Sequence, residues 1–245
     1  MDPKTAPARA SKTTSLNDLD ELVVKCRACP RLVRWREQVA HEKRAAYADQ
    51  VYWGKPVPGF GPSDAKMLIV GLAPGAHGAN RTGRLFTGDQ SGDVLFAALH
   101  RVGLANQATA TGLGDGLTLF DVRMSAPVKC VPPQNKPTTE ERHNCSPFLA
   151  HEIELLAPTL KVIFVLGGFG WVALLAVLKD AGWIVPSPRP KFGHGTTLNL
   201  THPDGRSLAV VGCFHVSQHN TFTGRLTPSM LDETLTLAKE LAGMR

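Results

Sequence analysis

The sequence predicts an α/β fold with a largely parallel sheet that is covered by helices on both faces. Short apolar runs alternate along the chain with amphipathic helical stretches, which is the pattern of βαβ units. Hydrophobic residues make up 43% of the 245 positions and charged residues 20%. One domain of ordinary size can therefore bury its own core, and global disorder is excluded.

The first part of the chain predicts a tail followed by two helices. Residues 1–14 lack an apolar segment, which excludes a secretory signal. We expect them to be a disordered tail and residues 15–245 to form a single domain. Ser15 is expected to cap the first helix. Pro30 suits the first turn of a second, basic helix that ends near Tyr47.

Strands and helices then alternate to the end of the chain. Predicted strands are Met67–Val70, Leu117–Met124, Val162–Leu166, Thr196–Leu200 and Leu208–Cys213. The turn sequence at 202–205 predicts that the last two strands form a hairpin. Predicted helices are capped by Ser91, by Thr138 with Glu141 as a capping box, and by Thr227, and a further helix begins near Phe169. Pro147 is expected to break the second of these helices.

The long apolar stretch 162–178 approaches the length of a membrane span. Glycines at 167, 168 and 170 divide it into a buried strand and a helix, so no membrane association is expected.

Lys and Arg outnumber Asp and Glu by 27 to 21, which gives a formal net charge of +6 and permits a polyanionic partner. A cytoplasmic location, where thiols stay reduced, is expected.

Four of the five cysteines form a split pattern, Cys26-x2-Cys29 followed by Cys130-x14-Cys145. Four thiolates can complete a tetrahedral zinc site or hold an Fe–S cluster, and the spacing does not separate the two. The alternative is that Cys130 and Cys145 are ordinary buried thiols. Cys213 ends an apolar strand and is expected to lie in the core.

Two loops that follow predicted strands have unusual compositions. The first, GLAPGAHGANRTGRLFTGD at 71–89, is neither a P-loop nor a dinucleotide fingerprint. Its small residues let backbone approach a ligand, and its Phe86 can stack on a planar ring or pack in the core. The second, FHVSQHNTFTGRLT at 214–227, is rich in hydrogen-bonding side chains. Neither a G-x-S-x-G elbow nor an H-E-x-x-H zinc motif occurs, so the corresponding hydrolases fit poorly.

These two loops and the split cysteine pattern together resemble the bacterial and archaeal family 5 uracil-DNA glycosylases over residues 16–242. The resemblance implies a three-layer α/β/α sandwich with a central, mostly parallel four-stranded sheet. It also implies that the four cysteines hold a structural 4Fe–4S cluster. The implied substrate is DNA containing uracil, with hypoxanthine and xanthine as further bases.

The first motif, Gly71 to Pro74, carries no side chain that could activate water. Most related families have Asp, Asn or Glu there, so this absence matches family 5. Ala126 stands where family 4 has a uracil-reading Asn, which argues for a broader base range.

The resemblance and the chemistry of N-glycosidic cleavage assign expected roles. His215 is expected to stabilise the departing base, and either Asn80 or Asn135 is expected to hold the attacking water. Gly71, Ala73, Pro74 and Gly75 would form the pocket floor, Phe86 would stack on the flipped base, and His77 would line the pocket or contact the DNA backbone. Expected DNA contacts are phosphates at Arg81, Arg84 and Lys136, and the vacated base stack at Arg225 and Leu226.

Three rival interpretations stay open at this point. They are a non-catalytic Fe–S sensor of damaged DNA, an Fe–S redox protein and a zinc-stabilised hydrolase. A monomer associated with the nucleoid is expected. The sequence leaves open the ranking of the bases, the preference for single or double strands, and the role of His219.

Overall fold

A single mixed sheet organises the computed structural model, which describes residues 2–244. Its strands are β1 (Met67–Val70), β2 (Val122–Ser125), β3 (Val162–Leu166), β4 (Thr197–Thr201) and β5 (Ser207–Cys213). They lie in the order β2-β1-β3-β5-β4. The first four strands in this order run parallel to one another, and β4 pairs antiparallel with β5.

The sheet has five strands rather than the expected four. The additional strand is β4, which the hairpin around 202–205 attaches to β5 at the edge of the sheet. Three of its five residues are exposed, because an edge strand covers the core with one face only. The parallel part of the sheet does contain four strands.

Helices cover both faces of the sheet, as predicted. They are α1 (Leu16–Val24), α2 (Pro30–Glu42), α3 (Ala79–Thr82), α4 (Gln90–Arg101), α5 (Thr139–Leu156), α6 (Gly168–Asp180), α7 (Gln218–Phe222) and α8 (Pro228–Leu241). Successive strand residues point to opposite faces, so Met67 and Ile69 enter one core while Leu68 and Val70 enter the other. The first core includes α4 and α8 residues, and the second includes α1, α5 and α6 residues. The three-layer α/β/α architecture is confirmed.

Two predicted element bounds were wrong for local reasons. The strand expected from Leu117 begins at Val122, because Asp121 adopts a left-handed conformation with φ +58° just before it. Helix α5 continues through Pro147, and the Ser146 hydroxyl donates to the His143 carbonyl that the missing proline N–H leaves free.

Helix ends differ as well. The cap of α4 is Asp89, not Ser91, and α2 ends at Glu42 because Lys43 has a positive φ of 57°. The caps at Ser15, Thr138 and Thr227 are confirmed.

The N-terminal segment is ordered, contrary to the expected disordered tail. It forms two 3-10 turns, Pro3–Thr5 and Pro7–Lys12, of which the second packs on α5 and the first packs on the second. Ala6 and Ala10 are buried there because small side chains allow close approach to the helix. Met1 lies outside the described residues. No helix within residues 2–244 has the length and apolar character that a membrane crossing requires.

Candidate active site

A cleft of about 800 Å³ opens at the carboxyl ends of the parallel strands, where sites gather in such sheets. Both unusual loops of the sequence contribute to it. Of the predicted site residues, the structure brings together nine in its lining: Gly71, Ala73, Pro74, Gly75, Phe86, Asn135, Lys136, His215 and Arg225.

The floor of the cleft is backbone from the glycine-rich loop. A Cβ on Gly71 would lie 2.7 Å from the Phe86 ring, and a Cβ on Gly170 would lie 2.9 Å from the Gly71 carbonyl oxygen. Both positions therefore need glycine for the loop, the ring and α6 to meet. Phe86 is half-buried and has a positive φ of 52°, so the loop turns sharply where the ring enters the cleft.

His215 follows β5 and lies half-buried in the cleft wall. Burial lowers the pKa of His215, so its imidazole is neutral at pH 7 and carries one N–H donor. The Asn220 side-chain amide donates to the His215 carbonyl at 2.8 Å and fixes the local backbone. Gly167 has a φ of +88°, and a Cβ there would lie 3.1 Å from that of His215. Only glycine allows this close approach.

The N-terminus of α6 forms another part of the wall. Gly167, Gly168 and Phe169 line the cleft, and no side chain caps this helix. The first backbone N–H groups of a helix lack intrahelical partners and form its positive end. The cleft thus has a positive partial charge next to the His215 wall.

Asp89 is the one carboxylic acid among the described residues that line the cleft. Its Oδ1 accepts the Gly92 N–H at 3.1 Å as the cap of α4. Its Oδ2 faces the glycine-rich loop, 3.0 Å from where a Cβ on Gly75 would lie. Burial raises the pKa of Asp89 despite this backbone hydrogen bond. The cleft therefore contains a carboxyl group, although the first motif contains none.

A turn between Pro132 and Pro137 brings polar groups to the cleft. Gln134 and Asn135 have positive φ values of 55° and 57°, and both residues are exposed. Arg31 of α2 donates to the carbonyl of Lys136 at 3.1 Å, which pins the turn to the neighbouring helix. Asn135 thus lies on a supported turn beside the cleft.

Asn80 and His77 do not line the cleft, so Asn80 cannot hold water there, and of the two expectations for His77 only a contact with the DNA backbone stays a prediction. Asn80 is only 1% exposed, and its Nδ2 donates to the carbonyl oxygen of Arg36 at 3.2 Å. His77 Nδ1 is paired with the Tyr52 hydroxyl at 3.0 Å. Both residues follow a bend in the glycine-rich loop that turns them towards α2 and the segment before β1.

Three of the expected DNA contacts are engaged inside the protein. Arg84 is 3% exposed and donates to both carboxylate oxygens of Asp115, whose pKa these bonds lower. Arg81 donates to the carbonyls of His77 and Gly88 and lies over the Tyr47 ring. Leu226 is 2% exposed in the core, so it is not free to enter a base stack. Arg225 is exposed, with its guanidinium carbon 4.7 Å from the Phe214 ring centre.

The four cysteines of the split pattern line one small cavity between α2 and α5. Burial raises the pKa of each thiol, that of Cys130 to about 11. Arg36 donates to the Cys130 sulfur at 3.0 Å, and the Lys129 backbone donates to the Cys145 sulfur at 3.3 Å. No group of three or more His, Cys, Asp or Glu side chains in the described chain is arranged to hold a metal ion. The convergence of four cysteines with two N–H···S donors nevertheless fits a thiolate-bound group larger than one ion.

Sequence reasoning missed Asp89 and the start of α6 as parts of the cleft. An Asp ahead of a helix is a recognised N-cap signal, and it would have placed the Asp89 side chain at the end of the loop. Two glycines directly after a buried strand could likewise have indicated an uncapped helix facing the site. Which face of a loop opens to solvent has no comparable sequence signal.

Comparisons with known proteins identify the family of the chain. The family model of the uracil DNA glycosylase superfamily matches residues 58–238. A type-5 uracil-DNA glycosylase of Mycobacterium bovis is 52% identical over 230 residues, which is 94% of this chain and 83% of that protein. The type-5 enzyme of Thermus thermophilus is 47% identical over 91% of this chain and 97% of its own length. A type-4 enzyme of Pyrobaculum aerophilum is 32% identical over 66% of each chain.

Proposed function

Because the chain belongs to the type-5 uracil-DNA glycosylases of the uracil DNA glycosylase superfamily, we propose that it hydrolyses the N-glycosidic bond of uracil in DNA. The products are free base and an abasic site. One observation carries this proposal beyond the family. A neutral imidazole, an aromatic ring and a helix N-terminus surround a cleft whose floor is backbone.

Bound base lies in the cleft after it leaves the DNA stack. Extrusion is necessary because the reacting bond is inaccessible inside a duplex. Phe86 offers a ring for stacking, and the backbone of Gly71 and Gly75 lets the base approach the floor closely. These contacts replace part of the stacking that the base loses.

His215 stabilises the leaving group. As the bond to C1′ breaks, negative charge develops on the base, and a donor placed at the charged oxygen lowers the barrier. The neutral His215 imidazole supplies this donor. The positive end of α6 acts on the same charge, because Gly167 and Phe169 lie in the same wall.

Asp89 and Asn135 position the attacking water. The sugar becomes oxocarbenium-like before water adds, so a strong base is unnecessary. Water adds its oxygen to C1′, and its proton passes to the Asp89 carboxylate. Asn135 orients the water by hydrogen bonding. Asn80 takes no part in this step because it bonds α2 instead.

The substrate range extends to hypoxanthine and xanthine. Gly75 and Ala126 leave the cleft without bulky side chains at two positions of its lining, and a volume of about 800 Å³ admits a purine. Lys136 and Arg225 are exposed at the cleft. Lys136 binds a phosphate of the flanking DNA, and Arg225 enters the space that the base leaves in the stack. We expect a cytoplasmic, nucleoid-associated monomer.

The four cysteines hold a 4Fe–4S cluster in this proposal. A cluster of four irons needs thiolates farther apart than a single ion does, which is consistent with four sulfurs around one cavity. When bound, the cluster supplies a covalent tether and no chemistry at the base. Cys26 and Cys29 precede α2, Cys130 precedes the Asn135 turn and Cys145 lies in α5, so the tether joins three parts of the chain.

The decisive experiment is single-turnover base release from matched duplexes that contain uracil, hypoxanthine, xanthine or thymine opposite guanine. We expect release of the first three bases and none of thymine, scored as alkali-labile sites. Release of uracil alone would restrict the proposed range. Tight binding to uracil-containing DNA without any release would instead support a non-catalytic sensor of damage.

A further inference from the structure

Arg36 carries a positive charge in a place where almost no solvent reaches it. Its side chain is 2% exposed, in the middle of α2. Two of its nitrogens donate to the Cys26 carbonyl at 3.2 Å, and Nη1 also donates to the Cys130 sulfur at 3.0 Å. Its Nε has no hydrogen-bond partner within residues 2–244.

No carboxylate balances this charge at hydrogen-bond distance in the described structure. The one acidic oxygen nearby, Glu37 Oε1, lies 4.0 Å from Nη2. Glu37 is half-exposed and already accepts two hydrogen bonds from Arg27. A buried guanidinium with no directly hydrogen-bonded anion is unfavourable, whereas the other buried cations, Arg84, Arg123 and Lys129, each hydrogen-bond to a carboxylate.

Neutral thiols do not supply the missing charge. A thiol is uncharged and only a weak hydrogen-bond acceptor. Four thiolates around iron carry a net negative charge, and an N–H donor to one of the sulfurs stabilises it. The site next to Arg36 is thus built for an anionic group.

We propose that Arg36 is the counter-ion of the four-cysteine centre and sets its reduction potential through the bond to Cys130. The inference depends on the proposed cluster and goes beyond its tethering role. Reduction adds negative charge to a cluster, so a fixed cation beside it stabilises the reduced form more and raises the potential. The Asn80 side-chain amide donates to the Arg36 carbonyl, so Arg36 also connects the four-cysteine centre to the glycine-rich loop.

The test uses the full chain, purified without oxygen, and the variants Arg36→Met and Arg36→Lys. Arg34, which is exposed on the same helix, provides the matched control Arg34→Met. Iron and sulfide content, visible absorption and a spectroelectrochemical titration are measured for each protein. Circular dichroism establishes that each variant is folded.

We expect Arg36→Met to shift the reduction equilibrium at least tenfold towards the oxidised form, which is about 59 mV for one electron. Arg36→Lys keeps the charge but not the forked geometry, so its potential should lie between the two. Arg34→Met should match wild type. If Arg36→Met does not fold, a shifted potential in Arg36→Lys supports the inference and a wild-type potential overturns it.

Two results would overturn the inference in different ways. A folded Arg36→Met protein with full iron content and the wild-type potential would show that Arg36 does not act on the cluster. A wild-type chain that contains no iron would remove the cluster itself, whether or not the chain releases uracil. Uracil release is measured separately, so failure of the proposed enzyme activity is not confused with either result.

Discussion

The cleft and a group of buried charges beside it differ in how their polar side chains are partnered. The cleft lining has one carboxylic acid, Asp89, and presents mainly backbone, apolar side chains and a neutral imidazole. Beside it, at the end of β2, Asp20, Arg123, Ser125, Lys129 and Glu152 form a network that we call the charge layer. Ser125 belongs to this layer, and the next residue, Ala126, lines the cleft.

Every charge in the layer has a partner. Glu152 accepts from Arg123 at 2.7 Å and from Lys129 at 2.9 Å, and Arg123 also bonds Asp20 at 2.6 Å. Burial alone would raise the pKa of Glu152, but Lys129 and Arg123 outweigh it and lower the pKa to about 2. The layer fixes where the loop after β2 begins, whereas the cleft leaves its groups free to act on a ligand. Stability and chemistry should therefore respond to different substitutions.

The largest effect is expected for Glu152→Ala. It leaves Lys129 without a carboxylate and Arg123 with only one, so the free energy of unfolding should fall by about 3–5 kcal/mol. Glu154→Ala is the control, because Glu154 lies on the same helix and pairs with Arg206 at the surface, where a pair contributes about 1 kcal/mol or less. Urea denaturation measures both. Equal losses in the two variants would contradict the role assigned to the charge layer.

His215→Ala should produce the converse result. Loss of the leaving-group donor should lower single-turnover uracil release by about 10²–10³-fold, while unfolding stays close to wild type. His219→Ala is the matched control, because His219 is exposed on α7. A wild-type rate for His215→Ala would exclude it as the donor. If the free energy of unfolding fell as well as the rate, His215 would contribute to folding, and the contrast between the two regions would not hold.

Asp89→Asn separates two roles of the Asp89 side chain, which are capping α4 and accepting a proton from water. Asn caps helices about as well as Asp, so α4 should stay intact, whereas the group that accepts the proton of water is lost. We expect release to slow by about 10²-fold near neutral pH. Asp93→Asn, an exposed change in the first turn of the same helix, should have no such effect.

The rate of base release should depend on pH in the direction that the ionisation of Asp89 sets. Only the ionised carboxylate accepts a proton, so the wild-type rate should fall as the pH drops through the pKa of Asp89. Burial raises that pKa above the usual 3.8, so the fall should begin at a higher pH than for an exposed Asp. The Asp89→Asn rate should not show this step. An unchanged profile would mean that Asp89 serves only as a cap.

The two regions also differ in how far the sequence predicts them. The glycine-rich loop after β1 and the polar loop after β5 are local patterns that carry the family resemblance, so nine residues of the cleft lining could be named in advance. The charge layer joins α1, β2 and α5, which lie far apart in the chain, and its members look like ordinary surface charges. Arg84 shows the same difficulty: it follows a glycine in a loop, yet it is buried against Asp115.

The smallest effect is expected for Lys136. Comparing Lys136 with Arg84 tests the difference between an exposed cation and a buried one. Both were expected to bind phosphates, but only Lys136 is exposed at the cleft. Lys136→Gln should lower the slope of log affinity against log salt by about 1, with a modest loss of affinity at low salt. Lys179→Gln, at the far end of α6, should leave the slope unchanged.

Arg84→Gln should also leave the salt slope unchanged, because the Arg84 guanidinium already pairs with Asp115. It should lower the free energy of unfolding instead. A reduced slope for Arg84→Gln would mean that this ion pair opens when DNA binds.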